Sequence, residues 1–295
     1  MTSMSSSLRP RSYCSDRVRE CPVEMSVMTT GTFSGRGFDI HYEVVGEGPR
    51  LLFFNGSGSS ISVARPLIDA LASCNTVLVH DQRGLGLTEV PEGPYEMSDY
   101  ASDGRALLDH VGWDRTAVFG ISFGGMVALE FAVTYPEMVD RLCLACTSAG
   151  GRGGSSYPLH ELASLDPVDR ARLYPTLVDT RFDEAWLAEH PTDAAFLAPR
   201  PAPTGRSALG ASWQLDARSR HDVWDRLGSI VAPTFVASGE FDGIAPPDNG
   251  RSIAARVTGA VHEEYHGGHM FLFQDRRALR DVRDFLSNNP EEMRT

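Results

Sequence analysis

The sequence predicts an α/β fold, a mostly parallel central sheet flanked by helices. Three observations carry that expectation. Short continuous apolar runs, Leu51-Leu52-Phe53-Phe54, Thr76-Val77-Leu78-Val79 and Ala117-Val118-Phe119, have the length and make-up of strands covered on both faces. Segments of helical periodicity stand between such runs, the order of a sheet wound through crossover helices. Finally, Ser122 sits in Gly120-Ile121-Ser122-Phe123-Gly124-Gly125, directly after an apolar run and before helical spacing at Met126, Leu129 and Val133. A serine on so tight a strand-to-helix turn has the form of a nucleophile elbow.

Taken in order, Met1 to Ser26 is rich in Ser and Arg and lacks the apolar stretch of a secretion signal, so residues 1–30 are read as a disordered extension. Phe38 to Val44 alternates apolar and polar residues, as an antiparallel strand half exposed at a sheet edge does. Gly46-Glu47-Gly48-Pro49 turns the chain into the Leu51 strand, and Ala64 to Ala72 reads as the helix before the Thr76 strand. Ser98-Asp99 is the expected cap of a helix through Leu107 and Leu108, with Gly112 as its stop. Arg141 to Cys146, Pro233 to Ala237 and Val261 to Tyr265 are the remaining strands, and Arg277 to Leu286 is a closing helix. These elements place an α/β core at 31–149 and 213–290. Between them, 150–212 holds no strand candidate, only helical pieces at Leu162–Leu173 and Phe182–Glu189 and a Pro-rich stretch from Ala198 to Pro203. It reads as a helical insertion.

Composition narrows the function classes. A chain of 295 residues can bury a large core, and a formal charge of −12 argues against nucleic acid as a partner. All 27 basic residues are arginine, which excludes Schiff-base lysine chemistry and a phosphate-loop lysine. Of the five cysteines, Cys143 and Cys146 lie in or beside an apolar strand and read as buried thiols, so a reduced, cytoplasmic protein is expected. No stretch approaches the length of a membrane span, and no His/Cys/acid grouping has metal-site spacing, so neither membrane, metal nor cofactor is expected.

A serine hydroxyl needs a base to take its proton, and the base must itself be held. Past the Pro233 strand, Ser238-Gly239-Glu240-Phe241-Asp242-Gly243 offers Asp242, with Glu240 as its rival. Past the last strand, His266-Gly267-Gly268-His269-Met270 offers His269, with His262 and His266 as rivals. The order Ser, Asp, His, on loops at the carboxyl ends of parallel strands, lets three distant residues converge above a sheet. The N–H of Phe123, at the positive end of the helix after Ser122, is suited to hold an oxyanion.

With those residues in view, the chain from Thr32 to Leu286 resembles the α/β-hydrolase-fold serine hydrolases. The resemblance rests on the elbow, on Asp81-Gln82-Arg83-Gly84-Leu85-Gly86, on Gly239-Glu240-Phe241-Asp242 with Pro246-Pro247, and on Gly268-His269-Met270. It implies a triad of Ser122, His269 and Asp242. The family's alternative acid position, after an earlier strand, holds Cys146-Thr147-Ser148 and no carboxylate. It implies a second oxyanion donor at the N–H of Ser57, within Asn55-Gly56-Ser57-Gly58, where Asn55 replaces the family's usual histidine. It also implies that 150–212 is a lid, whose Phe182, Trp186, Leu187 and Phe196, with Trp213 just beyond, are candidates for an apolar substrate lining.

The expected activity is hydrolysis of a small to medium, mostly apolar ester, lactone or thioester through an acyl-enzyme. Carbon–carbon bond hydrolysis and haloperoxidase-like perhydrolysis share the same triad. Dehalogenases and epoxide hydrolases of this fold carry aspartate at the elbow, which Ser122 disfavours. A non-catalytic ligand binder is the reading from another class, and the presence of all three triad candidates weighs against it.

Overall fold

The computed structural model describes residues 28–198 and 203–287. Most of the expected N-terminal extension, with Cys14 and Cys21, and Pro199 to Ala202 of the Pro-rich stretch lie outside the described residues. The elements follow as β1 (Met28–Gly35), β2 (Phe38–Val45), β3 (Arg50–Phe54), α1 (Ile61–Ala72), β4 (Thr76–His80), α2 (Met97–Val111), β5 (Thr116–Ile121), α3 (Phe123–Thr134) and β6 (Val139–Ala145). Then come α4 (Leu159–Ser164), α5 (Pro167–Val178), α6 (Glu184–Glu189), α7 (Arg206–Ser219), β7 (Thr234–Gly239), α8 (Pro247–Arg256), β8 (Val261–Tyr265), α9 (Phe271–Gln274) and α10 (Arg276–Ser287).

The strands form one eight-stranded sheet in the order β1-β2-β4-β3-β5-β6-β7-β8. β2 runs antiparallel to β1 and to β4, and every other pairing is parallel. The apolar runs predicted as two-faced strands are buried on both sides: Leu52, Phe54, Val118 and Leu142 face one core layer, and Leu51, Phe53, Phe119 and Cys143 face the other. The alternation of apolar side chains along a strand divides them between the layers. Among the described residues, no helix is long and apolar enough to cross a membrane.

Three local expectations need correction. β2 is not the sheet edge, because β1 lies outside it and begins at Met28, inside the segment read as extension. From Thr29 to Gly35 no residue of β1 is fully buried, so an edge strand with so little apolar content carries no periodic signal. The helix cap at Ser98 is instead Glu96, whose side chain and that of Asp99 form a reciprocal capping box one turn earlier. The expected helix Leu162–Leu173 is two helices, broken where Asp166 caps α5 by accepting from the N–H groups of Val168 and Asp169, with Pro167 at its first position. α8 was not anticipated, and α7 runs across the expected boundary at 212.

Arg83 and Asp81 shape the loop after β4. Arg83 reaches Asp103 of α2 through paired 2.8 Å hydrogen bonds and lies over the rings of Phe38, Tyr95 and Tyr100. Asp81 accepts from the N–H groups of Ile61 and Leu87, joining the start of α1 to the same loop.

Two histidines outside the candidate site make folding stability sensitive to acid. His80 and His221 are buried, and neither ring nitrogen of either has a hydrogen-bond partner among the described residues. Burial, reinforced at His80 by the Arg83 charge, lowers each imidazole to about 4. Between that value and about 6.5 the unfolded chain binds protons that the folded chain refuses, so stability falls as pH falls through this window. At pH 5 the linkage amounts to roughly 2 kcal/mol for each histidine. Urea unfolding of the wild type is expected to show lower stability at pH 5 than at pH 7, with His221→Phe removing a large part of the difference. An equal difference in the variant would exclude this origin.

Candidate active site

Ser122 stands between β5 and α3 with φ 56° and ψ −117°, a strained backbone for a residue with a side chain. The turn is held by the Ser122 N–H donating to Ala145 O at 2.8 Å and by the Thr147 hydroxyl donating to Ser122 O at 2.8 Å. Its glycines are needed for space. A Cβ at Gly124 would collide with the Phe54 carbonyl oxygen, and one at Gly120 with the Gly124 carbonyl oxygen. The helix therefore lies directly on the strand ends, and the hydroxyl is carried at the top of the sheet.

Asp242 and His269 follow β7 and β8, and the three side chains meet. The Ser122 hydroxyl is 3.0 Å from His269 Nε2, and His269 Nδ1 donates to Asp242 Oδ2 at 2.8 Å. The other carboxylate oxygen, Oδ1, accepts from the Ile244 and Ala245 N–H groups, both at 2.8 Å. His269 is fixed from its own backbone, whose N–H donates to Val178 O at 2.6 Å at the end of α5. Burial pushes the imidazole down, the neighbouring Asp242 and Cys146 push it up, and the balance lies well above its ordinary value.

The rivals lie elsewhere. Glu240 faces His266 at 3.3 Å, and His266, on the surface, also meets Arg181 Nη1 at 2.7 Å. His262 pairs with the Ser238 hydroxyl at 3.0 Å. None of them contacts Ser122 or Asp242 among the described hydrogen bonds.

One grouping of metal-ligand type occurs among the described residues: Cys146, Asp242 and His269, with ligand atoms within 4.8 Å of one another. Sequence spacing hid it, because Cys146 sits at the end of β6 and the other two lie far along the chain. The short Nδ1–Oδ2 separation is that of a hydrogen bond, so histidine and carboxylate are already committed to each other. The buried Cys146 thiol flanks the pair.

The loop after β3 lies against the elbow, since a Cβ placed on Gly56 would stand 3.7 Å from the Ser122 Cβ. The N–H groups of Gly56 and Ser59 have acceptors in Asn55 Oδ1 and Gly56 O, at 2.9 and 3.2 Å. Those of Ser57 and Phe123 have none among the described residues, so both remain free to donate to a bound oxygen. Asn55 also donates to Ser60 O at 3.2 Å, tying the loop to the start of α1.

A cavity of about 530 Å³ opens over Ser122, His269, Ser57 and Asn55. Its walls include Val63, Leu67, Tyr174, Ile244, Met270 and Phe273, none of them anticipated from sequence. The sequence reads Ala64 to Ala72 as a helix but gives no reason to place one of its turns beside the elbow. Phe196 lines this cavity, and Trp213 lines an adjoining one bounded by α4, α5 and α7. Phe182, Trp186 and Leu187 line neither. Phe182 is fully buried, and Trp186 is held by Asp193 through its indole N–H and by stacking on His190.

The comparisons with known proteins agree with this architecture. The family model described as alpha/beta hydrolase fold matches residues 49–275. A poly(3-hydroxyalkanoate) depolymerase of Ectopseudomonas oleovorans is 31% identical over 240 residues, 79% of this chain and 82% of that protein. A 3-oxoadipate enol-lactonase of Acinetobacter baylyi is 25% identical over 244 residues, 81% of this chain and 89% of that protein. Among solved structures, a hydrolase from Pseudomonas aeruginosa superposes with a TM-score of 0.73 at 26% identity, covering 88% of this chain and 98% of its own.

Proposed function

The chain belongs to the α/β hydrolase fold family, and from that premise we propose that it is a serine hydrolase cleaving a small to medium, mostly apolar ester or lactone. The observation that carries this reading is the continuous hydrogen-bonded series from Ser122 through His269 to Asp242. In the first half-reaction His269 Nε2 takes the Ser122 proton as the oxygen attacks the acyl carbonyl. The carbonyl oxygen becomes an anion received by the Ser57 and Phe123 N–H groups. The imidazolium, stabilised by Asp242, returns its proton to the departing alkoxide, and the acyl group stays on Ser122. Water, deprotonated by the same imidazole, then attacks the acyl-enzyme and releases the acid.

An ester or lactone is favoured by two independent supports. Apart from its catalytic edge, the cavity is walled mainly by apolar side chains. Relatives named for depolymerase and enol-lactonase activity cover most of the chain, and the former kind acts on a polyester. We place the protein in the cytoplasm on the strength of Cys74, Cys143 and Cys146, all free thiols.

A series of p-nitrophenyl esters tests the proposal. Each methylene buried contributes about 0.8 kcal/mol, so the four added from acetate to hexanoate should raise kcat/KM by up to about 200-fold before the cavity is filled. A charged acyl group of the same length, such as an adipoyl monoester, should be turned over far more slowly. Equal or faster turnover of the charged series would overturn the apolar assignment. Failure of a fluorophosphonate to label Ser122 would overturn the hydrolase reading itself.

A further inference from the structure

The loop that carries the Ser57 N–H is gripped by a side chain from the far side of the insertion. Gln214, on α7 and almost fully buried, accepts from the Gly58 N–H through Oε1 at 2.7 Å. Its amide Nε2 donates to Gln82 Oε1 at 2.8 Å, and Gln82 Nε2 donates to Asn55 O at 2.9 Å. Two amides in series thus hold the peptide groups on both sides of Gly56-Ser57. We propose that Gln214 is a positioning residue for the oxyanion loop, aiming the Ser57 N–H and making that aim depend on the seating of α7.

The physical case rests on polarity and reach. Glutamine carries one acceptor and two donors, and an isolated buried amide is costly, so a relay with each amide engaged at both ends has one stable arrangement. Gly58 has φ 62° and open space where a Cβ would stand, so the turn bond from Ser59 N–H to Gly56 O and the Gln214 contact are what hold this peptide. Oxyanion stabilisation is steep in donor geometry, because its benefit comes from donors fixed before charge develops. Gln214 touches no reacting atom. It acts through Gly58.

The inference rests on the serine-hydrolase reading above, and its test separates the two. Gln214→Met keeps the volume and loses both hydrogen bonds, whereas Gln214→Glu keeps an acceptor for Gly58. On a p-nitrophenyl ester that the wild type hydrolyses, Gln214→Met is expected to lower kcat 10- to 100-fold with KM within about twofold. Inhibition by an alkyl trifluoromethyl ketone, which mimics the tetrahedral adduct, should weaken by a similar factor. Gln214→Glu keeps that acceptor but sets a second oxygen against Gln82 Oε1 in place of the donor, so it too should lose kcat. Should Gln214→Met fail to fold, Gln82→Met breaks the same relay from the core side and is held to the same expectation. Wild-type kcat and ketone affinity in the folded variant would overturn the proposal. So would a loss confined to KM, since that describes packing rather than aim. Absence of any ester turnover by the wild type would instead reject the hydrolase reading.

Discussion

Ser122→Ala is expected to reduce kcat for ester hydrolysis by roughly 10⁶, to the residue left by binding and oxyanion stabilisation alone. No other hydroxyl is hydrogen-bonded to His269 among the described residues, and the neighbouring Cys146 thiol is buried at the end of β6. The fold should survive. The bonds that hold the elbow use the backbone N–H and carbonyl of residue 122, which alanine retains. Alanine also meets the same positive φ that serine already tolerates. Circular dichroism and a melting temperature close to wild type, together with vanished turnover and lost fluorophosphonate labelling, make the expected result. A variant that keeps even a tenth of wild-type kcat would show that another group performs the attack.

Asp242→Asn is expected to lower kcat about 10⁴-fold and to move the pH profile in a defined direction. The carboxylate does two things here: it accepts the Nδ1 proton, leaving Nε2 free to act as base, and its charge helps to hold the imidazole well above its ordinary value against the pull of burial. The active form is the neutral imidazole, so the wild type loses kcat/KM as pH falls through that raised value. Asparagine removes the charge and leaves burial dominant, so the residual activity should persist to lower pH, with its acid inflection below that of the wild type. Asparagine can also present its NH₂ to Nδ1, which favours the wrong tautomer and accounts for the size of the loss. Ile244 and Ala245 should still find an acceptor in the amide oxygen, so the loop is expected to remain in place. An unchanged acid limb would remove Asp242 from the role assigned to it.

Much of this architecture was legible beforehand, for identifiable reasons. Strands buried on both faces announce themselves as unbroken apolar runs, and β3, β4 and β5 lie within two residues of the bounds those runs predict. The elbow was legible because its geometry demands glycine at fixed offsets from the serine. β1 was missed because an exposed edge strand gains its stability from ladder hydrogen bonds, which any sequence can make. Pro167 and Asp166 do mark the break between α4 and α5, a signal present but outweighed by the apolar spacing around it.

Inside the candidate site the division is sharper. Ser122, Asp242 and His269 are legible as candidates on strand-end loops, and the family resemblance is what prefers Asp242 to Glu240 and His269 to His262 and His266. Which aromatic residues of the insertion face a cavity does not follow from the sequence. Phe196 and Phe182 are the same residue type within one insertion, and one lines the cavity while the other is buried away from it. That choice depends on how α4, α5 and α7 seat on the sheet. The same holds for Gln214, whose partners Gly58 and Gln82 lie 156 and 132 residues away along the chain. The amino-acid order by itself determined the strands buried on both faces and the turn at Ser122, since periodicity and glycine sterics act over a few residues. Only the tertiary structure decided the cavity walls and the amide relay, since a contact between distant segments is set by packing that no local pattern records.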